Sequence, residues 1–486
     1  MKKKHDQNKA RRAFIRNTSL AAAGFFIVPR HVLGGKGFIA PSDKLNLAGI
    51  GVGGKGASDI GNAWNNGSEN VVALCDIDWN YAKGPAAKFP DAKKYNDYRK
   101  MFDEMGKSID AVTISTPDHM HAPIAMAAIQ LGKHVYVQKP LTHDIYEARK
   151  LTEAARQYKI VSQMGNQGAS SAGSAQLVEW FDKGLIGKVN TAYIWTNRPV
   201  WPQGIPVPAG KPLPEGLSKE NWDLWIGSAP YVDYDPLYHP FKWRGWWNFG
   251  TGALGDMGCH LIDPAFRVLG LGYPTEVECS VGSLFIKDWQ PENVQEGCPL
   301  SSNVQLKFGP SKKNNSEVKM IWNDGGIRPF HPDLIPADDF IGEPGSANGG
   351  MLIGEKGIIT FGTYGATPQV YLKNGTKLVA DDKKKTDIQK MPESGHQYSW
   401  VQACKAGFES KEHKKLTSSF DYSGPLTEAV LMGNLAIRSY TLKNSKNEFP
   451  GRKKLLWDGP NMKITNFDDA NQFVKRNYRD GWKLGA

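Results

Sequence analysis

The sequence predicts an α/β protein of two main domains. The first is a doubly wound parallel sheet; the second is an α+β domain whose sheet is mostly antiparallel. Three observations carry this. A short apolar run over residues 45–50 breaks into glycines at Gly51, Gly53 and Gly56. That is the G-x-G-x-x-G spacing at which a buried strand turns tightly into a helix. Strand-like and helix-like stretches then alternate as far as residue 165, which calls for parallel strands covered on both faces. Beyond residue 270, strand-like stretches follow one another across short polar gaps, as antiparallel neighbours do.

Residues 1–36 read as a leader rather than as part of the fold. Lysines precede Arg11-Arg12-Ala-Phe14, and a modest apolar run follows over residues 20–28, too short for a comfortable membrane span. A twin arginine before such a run predicts a Tat-type signal, hence export to the periplasm or retention at the membrane by an uncleaved leader. The formal charge of +11 is concentrated here. Nine Lys/Arg and one Asp fall in residues 1–36, leaving an excess of +3 elsewhere. A nucleic-acid-binding protein needs a basic patch on its folded body, so that class is set aside. The five cysteines (Cys75, Cys259, Cys279, Cys298, Cys404) lie far apart, without metal-ligand spacing, and read as small buried side chains with no metal site.

From residue 44 to 165 the elements follow in order. At the glycines, Gly51 allows the tight turn, Gly53 the close approach of a pyrophosphate and Gly56 close helix–strand packing, with Gly54 between them. The free N–H groups of the following helix face the phosphates. A second strand, 71–75, ends in Asp76, about 20 residues on, where a carboxylate bonds the adenosine ribose and repels a 2′-phosphate. The cofactor expected is therefore NAD, with NADP disfavoured. A third strand spans 109–115, and Thr116-Pro-Asp-His-Met-His121 reads as the turn at its end. A helix over 122–131, a strand over 134–138 ending in Lys139-Pro140, a helix over 144–158 and a strand over 159–164 complete the domain. Gly51–Gly56, Asp76, Thr116, Pro117, His121, Gln138 and Lys139 all fall at carboxyl ends of strands, where parallel sheets bind ligands.

Residues 166–440 form the second domain. After a strand at 188–196, residues 198–217 hold six prolines and can be neither helix nor central strand. Trp201 in this long loop suits packing near a ligand or a neighbouring subunit. The aromatic stretch 231–247 includes Tyr238, His239, Trp243 and Arg244, read as substrate contacts, since aromatic faces pack on sugar rings and Arg and His bond hydroxyls. Asp256 and His260 follow at i and i+4, on one face of a helix. Strands are expected at 276–286, 302–308 and 317–322, a hairpin at 350–361, a solvated lysine-rich loop at 376–386, and helices at 397–406 and 425–440. The tail, 441–486, carries Trp457, Tyr478 and Trp482 among charges and is expected to pack back on the body.

Gly51-Val-Gly-Gly-Lys-Gly56, Ser115-Thr-Pro-Asp-His-Met-His121 and Gln138-Lys-Pro140 together resemble the Gfo/Idh/MocA oxidoreductases over roughly residues 44–440. The resemblance implies a Rossmann domain and a C-terminal α/β domain. The open sheet of the latter carries the sugar site and often an oligomer interface. Two positions depart from the family pattern: Gln138 stands where Glu is usual, and Asp118 where Asn is usual. The implied activity is NAD-dependent hydride transfer at a CH–OH carbon of a sugar. His260 would take the hydroxyl proton, Lys139 would stabilise charge on the same oxygen, and Asp256 would orient His260. An exported enzyme needs NAD held tightly and returned to its starting state. Redox-neutral glycoside cleavage by oxidation, elimination, hydration and reduction is therefore the alternative expectation. A non-catalytic carbohydrate-binding protein is the second. The expected partners are a carbohydrate substrate and further copies of the chain.

Overall fold

A computed structural model describes residues 43–291, 294–343, 345, 347–380 and 395–485. The predicted leader and the part of the 376–386 loop beyond Ala380 lie outside these residues. From Leu45 onward the chain is one compact unit.

Six parallel strands open the fold: β1 (Asn46–Ile50), β2 (Asn70–Cys75), β3 (Lys93–Tyr95), β4 (Ala111–Ile114), β5 (His134–Val137) and β6 (Ser162–Met164). Their order is β3-β2-β1-β4-β5-β6, the doubly wound arrangement. The connecting helices are α1 (Lys55–Trp64), α2 (Lys83–Lys88), α3 (Tyr98–Met105), α4 (Asp118–Gln130) and α5 (Ile145–Gln157). Register places the reactive ends level: Ile50 pairs with both Cys75 and Ile114, and Ile114 with Val137. The residues leaving these strands therefore emerge on one line. Helix α4 begins at Asp118, so the predicted turn 116–121 is only two residues of turn followed by the helix's first turn. Helix α5 starts on an Asp144–Glu147 capping box, each side chain satisfying the other's backbone N–H. Strand β3 and helix α2 escaped the sequence reading because they are short and lysine-rich, with little apolar periodicity; helix α3 is amphipathic, with Tyr98, Met101 and Phe102 buried on one face, but spans only eight residues.

The second half is built on a ten-stranded mixed sheet. Its strands are β7 (Val189–Trp195), β8 (Pro274–Val281), β11 (Ser302–Phe308), β12 (Val318–Asn323), β13 (Gly349–Gly354), β14 (Gly357–Phe361), β15 (Gln369–Leu372), β16 (Lys377–Val379), β17 (Leu455–Asp458) and β18 (Lys463–Ile464). The order is β16-β15-β14-β13-β7-β12-β11-β8-β17-β18, with only β7 and β12 running parallel. A separate two-stranded ribbon holds β9 (Phe285–Lys287) and β10 (Gln290–Pro291), so the predicted strand 276–286 breaks after Val281. Residues 377–379, expected as loop, are edge strand β16. The helices here are α6 (Ala172–Asp182), α7 (Lys219–Ile226), α8 (Gly252–Leu269), α9 (Gly395–Ala406), α10 (Lys411–Lys414) and α11 (Phe420–Thr441). Residues 198–217 have no helix or strand.

Helix α8 is buried along almost its whole length, against α11, β7 and β13. Small residues allow this approach: a Cβ on Gly433 would stand 2.3 Å from Leu254 Cδ2. Side-chain bonds join the two halves. Thr251, just before α8, donates its hydroxyl to Asp118 Oδ2 at 2.6 Å, and Arg149 on α5 grips Glu428 on α11 by two bonds of 2.8 Å. The tail returns to the body. Strand β17 extends the large sheet beside β8, and Arg476 bonds Glu147 at the start of α5. Among the described residues no helix is long and apolar enough to cross a membrane.

Candidate active site

The carboxyl ends of β1, β2, β4 and β5 open into a cavity of about 560 Å³, closed from the other side by the 198–201 and 239–244 loops, α8 and Tyr364. That volume lies within the range of small-molecule and cofactor sites.

At one end lies the glycine turn. Gly51 has φ +71°, and a Cβ there would meet Thr116 N at 2.8 Å; a Cβ on Gly56 would lie 1.9 Å from the Gly51 oxygen. Both positions exclude any larger residue. Helix α1 starts with neither a side-chain cap nor an acidic residue in its first turn; Gly56 N and Ala57 N turn back on the Gly53 and Gly54 carbonyls, which leaves the Lys55 N–H and the positive end of the helix dipole for an anion. Asp76 accepts from Gly53 N at 2.9 Å and from Asp78 N at 3.0 Å; burial pushes its proton affinity up. Thr116 lines the cavity, and its hydroxyl is buried with no partner among the described residues. These features fit a dinucleotide. The ring of Tyr81 lies across the cradle: Cβ atoms on Gly53 and Gly54 would each stand 2.3 Å from its atoms. Tyr81 is 44% exposed, so a change of rotamer clears the glycines without disturbing the core.

At the other end, three cations surround one carboxylate. Lys139 leaves β5 ahead of a cis peptide to Pro140 and crosses to α8, where Nζ meets Asp256 Oδ1 at 2.8 Å and the Asp256 carbonyl at 2.6 Å. Arg244 Nε stands 3.2 Å from Oδ1 and Arg198 Nε 3.7 Å from Oδ2. Burial alone would raise the Asp256 carboxyl, but Lys139 and Arg244 hold it well below the ordinary carboxylate range. His260, one turn further along α8, is buried. That burial, reinforced by the Lys139 charge, drives its basicity well below the usual value, so the imidazole is neutral. Its Nδ1 has no partner among the described residues, and Tyr364 packs edge-on at 4.7 Å between ring centroids. Tyr364 has φ +63°, a conformation rare for a large side chain and found where a site demands it. Asp118 also lines this region, and burial pushes its carboxyl up to about 7.

Beneath both ends runs Asp59 of α1, fully buried. It accepts from Gln138 Nε2 at 2.8 Å, Ser115 Oγ at 2.9 Å and Gln397 Nε2 at 2.9 Å, and pairs with Lys55. The Gln138 amide also accepts from the Lys139 backbone N–H at 3.2 Å, setting the segment from which the lysine side chain departs.

The structure gathers Gly51, Gly53, Asp76, Thr116, Pro117, Gln138, Lys139, Trp243, Arg244, Asp256 and His260 around this one cavity. Gly54 and Gly56 shape the turn from behind. Three readings need correction. His121 does not face the cavity: it is buried, its Nδ1 on the Pro140 carbonyl (2.7 Å) and its Nε2 on that of Thr116 (2.8 Å), so it braces the two loops. Tyr238 is core, 1% exposed, edge-on to Trp246 and Phe249. His239 lines the cavity, but at the nucleoside end, where Nε2 meets Asp78 Oδ2 at 2.9 Å. A cis His239–Pro240 bond follows it, and Phe241 and Arg244 sit at the opposite end, so the aromatic stretch serves both ends. Sequence reasoning missed Lys55, Asp118, Arg198, Tyr364 and Trp482 as lining residues. Lys55 sits inside the glycine motif, Asp118 inside the Thr116–His121 turn, Arg198 at the start of the proline-rich loop and Trp482 among the tail's aromatics, so each had a signal beside it; Tyr364 had none.

Comparison with known proteins agrees with this geometry. The model of the "Oxidoreductase family, NAD-binding Rossmann fold" matches residues 45–166, and that of its "C-terminal alpha/beta domain" matches residues 175–284. Over these two segments the chain matches the Gfo/Idh/MocA oxidoreductase family. It is similar to a levoglucosan dehydrogenase of Pseudarthrobacter phenanthrenivorans, 26% identical over 48% of this chain and 49% of that protein. It is also similar to an inositol 2-dehydrogenase of Salmonella paratyphi B, 32% identical over 24% of this chain and 35% of that one. The chain thus spans about half the length, or less, of these curated relatives. An inositol dehydrogenase homolog from Azotobacter vinelandii, solved with NADH and myo-inositol, has the same fold. Its TM-score is 0.54 at 18% identity, covering 80% of this chain and 93% of that one.

Proposed function

We propose that the protein is an NAD-dependent oxidoreductase acting on a CH–OH group of a sugar or sugar derivative. The observation that carries this is the convergence of Lys139 from the parallel sheet and His260 from α8 on one cavity that also holds the glycine cradle. NAD, when bound, supplies the hydride acceptor. Gly51, Gly53 and the start of α1 hold its phosphates. Asp76 takes the adenosine ribose, with Asp78 beside it, and these acids oppose a 2′-phosphate, which supports NAD over NADP. Lys139 bonds the reacting oxygen and stabilises its developing negative charge. His260, held neutral at the cavity wall, accepts the hydroxyl proton. Asp256 holds Lys139 in place and offsets its charge against His260. The relatives named dehydrogenases for levoglucosan and inositol support a polyhydroxylated ring as substrate.

Mass spectrometry of nucleotide released on denaturation, with turnover of sugars by wild type, Lys139→Ala and His260→Ala, tests the reading. Each substitution is expected to reduce turnover about a hundredfold or more, the usual contribution of a proton-transfer or charge-stabilising group. Unchanged turnover in both variants refutes the assignment. Aglycone release from aryl glycosides without net NADH would select redox-neutral cleavage instead. We further propose export by the twin-arginine route with NAD bound tightly, and self-association. Fractionation of cells expressing the intact chain, and light scattering, check these.

A further inference from the structure

We infer that the sugar substrate carries an anionic group, a carboxylate or a phosphate, held by Arg198 and Arg244. The inference rests on the reading above and extends it to the class of substrate. Lys139, Arg198 and Arg244 line one end of the cavity with Asp256 as their common counter-charge, at 2.8, 3.7 and 3.2 Å. Their side chains are 14%, 26% and 22% exposed, so the excess positive charge, two with Asp118 protonated and one with it ionised, is poorly hydrated. The other carboxylate at this end, Asp118, is engaged by the Thr251 hydroxyl. Lys55 is paired with Asp59.

One cation suffices to steady the reacting oxygen, and Lys139 is placed for it. The arginines remain. Each uses Nη1 within the protein, Arg198 on the Asn197 amide and Arg244 on the Phe241 carbonyl. The Nη2 of each has no hydrogen-bond partner among the described residues. The Arg244 guanidinium is held between the rings of Trp243 (4.2 Å) and Phe241 (4.6 Å), which fixes its fork before any ligand arrives. A planar, immobilised fork is the geometry that carboxylates and phosphates match, and a neutral hydroxyl leaves most of its charge unpaired. Oxidised nicotinamide, were it bound beside Lys139, would add a further positive charge here and favour an anion in the substrate. Trp201 and Phe241, packed edge-on at 6.0 Å on the same wall, offer the apolar face on which a sugar ring lies.

The test is calorimetric titration of the full-length protein, first with NAD, then, with NAD bound, with configurationally matched sets of methyl hexosides, methyl hexuronosides and hexose 6-phosphates. At least one anionic member is expected to bind tenfold or more tighter than its neutral counterpart. That advantage should shrink several-fold between 50 and 500 mM salt. The uronoside and phosphate arms tell which anion the site takes. In Arg198→Gln the anionic advantage should fall below about threefold, the loss of affinity being larger for the anion than for the neutral sugar. NAD binding with no anionic preference in any matched set, or with no sugar bound, overturns this inference and leaves the dinucleotide reading standing. Failure to bind NAD overturns the reading itself. Should Arg198→Gln not fold, the wild-type preference and its salt dependence still decide the matter.

Discussion

Gln138→Glu restores the residue that the family pattern leads one to expect before Lys-Pro, yet the structure says it should destabilise this protein. Gln138 Nε2 donates to Asp59 Oδ2 at 2.8 Å, deep inside the fold. A glutamate there sets two carboxylates in hydrogen-bond contact. At 2.8 Å their repulsion is about 6 kcal/mol with an effective protein dielectric near 20. Taking up a proton is cheaper: from an ordinary glutamate value near 4.3, protonation at pH 7 costs about 4 kcal/mol, and at pH 5 about 1. The protonated pair then shares its hydrogen and regains the bond. The loss of stability should therefore be about 4 kcal/mol at pH 7 and about 1 at pH 5. The sign follows from a carboxyl whose folded-state proton affinity is raised: its contribution is present at low pH and disappears as pH rises. Urea unfolding at both pH values measures this. In the double variant Asp59→Asn, Gln138→Glu the charge merely changes sides, and most of the loss should be recovered as a coupling energy. Equal losses at pH 5 and 7, or none at pH 7, would refute the reasoning.

Further outcomes follow from the same site. Burial pushes the Asp118 carboxyl from an ordinary 3.8 up to about 7, so its folded form holds a proton that the unfolded chain has released above pH 4. Stability therefore falls as pH rises from about 4 to 7, by at most about 4 kcal/mol, and then levels. Asp118→Asn should flatten that slope and raise the melting temperature at pH 8 more than at pH 5; a slope identical to wild type would refute it. Tyr81→Ala removes the ring that lies over Gly53 and Gly54. It should tighten NAD binding several-fold in fluorescence titration, whereas weaker binding would show that the ring packs on the cofactor instead.

What was legible in the sequence was local. The glycine turn, the acid after β2 and the lysine after β5 could be read because strand ends in a parallel sheet are level by construction, as the Ile50–Ile114–Val137 register records. Asp256 and His260 could be paired because four residues make one helical turn. The misreadings have physical causes. His121 lies in the first turn of α4, not in a loop, and faces inward to two carbonyls. Tyr238 and His239 are adjacent, yet one is core and the other reaches Asp78, because composition of an aromatic stretch does not say which way each ring points.

The sequence alone determined the strand–helix alternation over most of the first domain and the glycine turn after β1. Each of these follows from short-range periodicity and backbone sterics. The tertiary structure decided which charges meet. Gln397 reaches Asp59 across 338 residues, and Asp256 gathers Lys139, Arg198 and Arg244 from three separate loops. No local pattern encodes such meetings, because electrostatic partners are chosen by distance in space, and the packing of α8 on β7, β13 and α11 sets that distance.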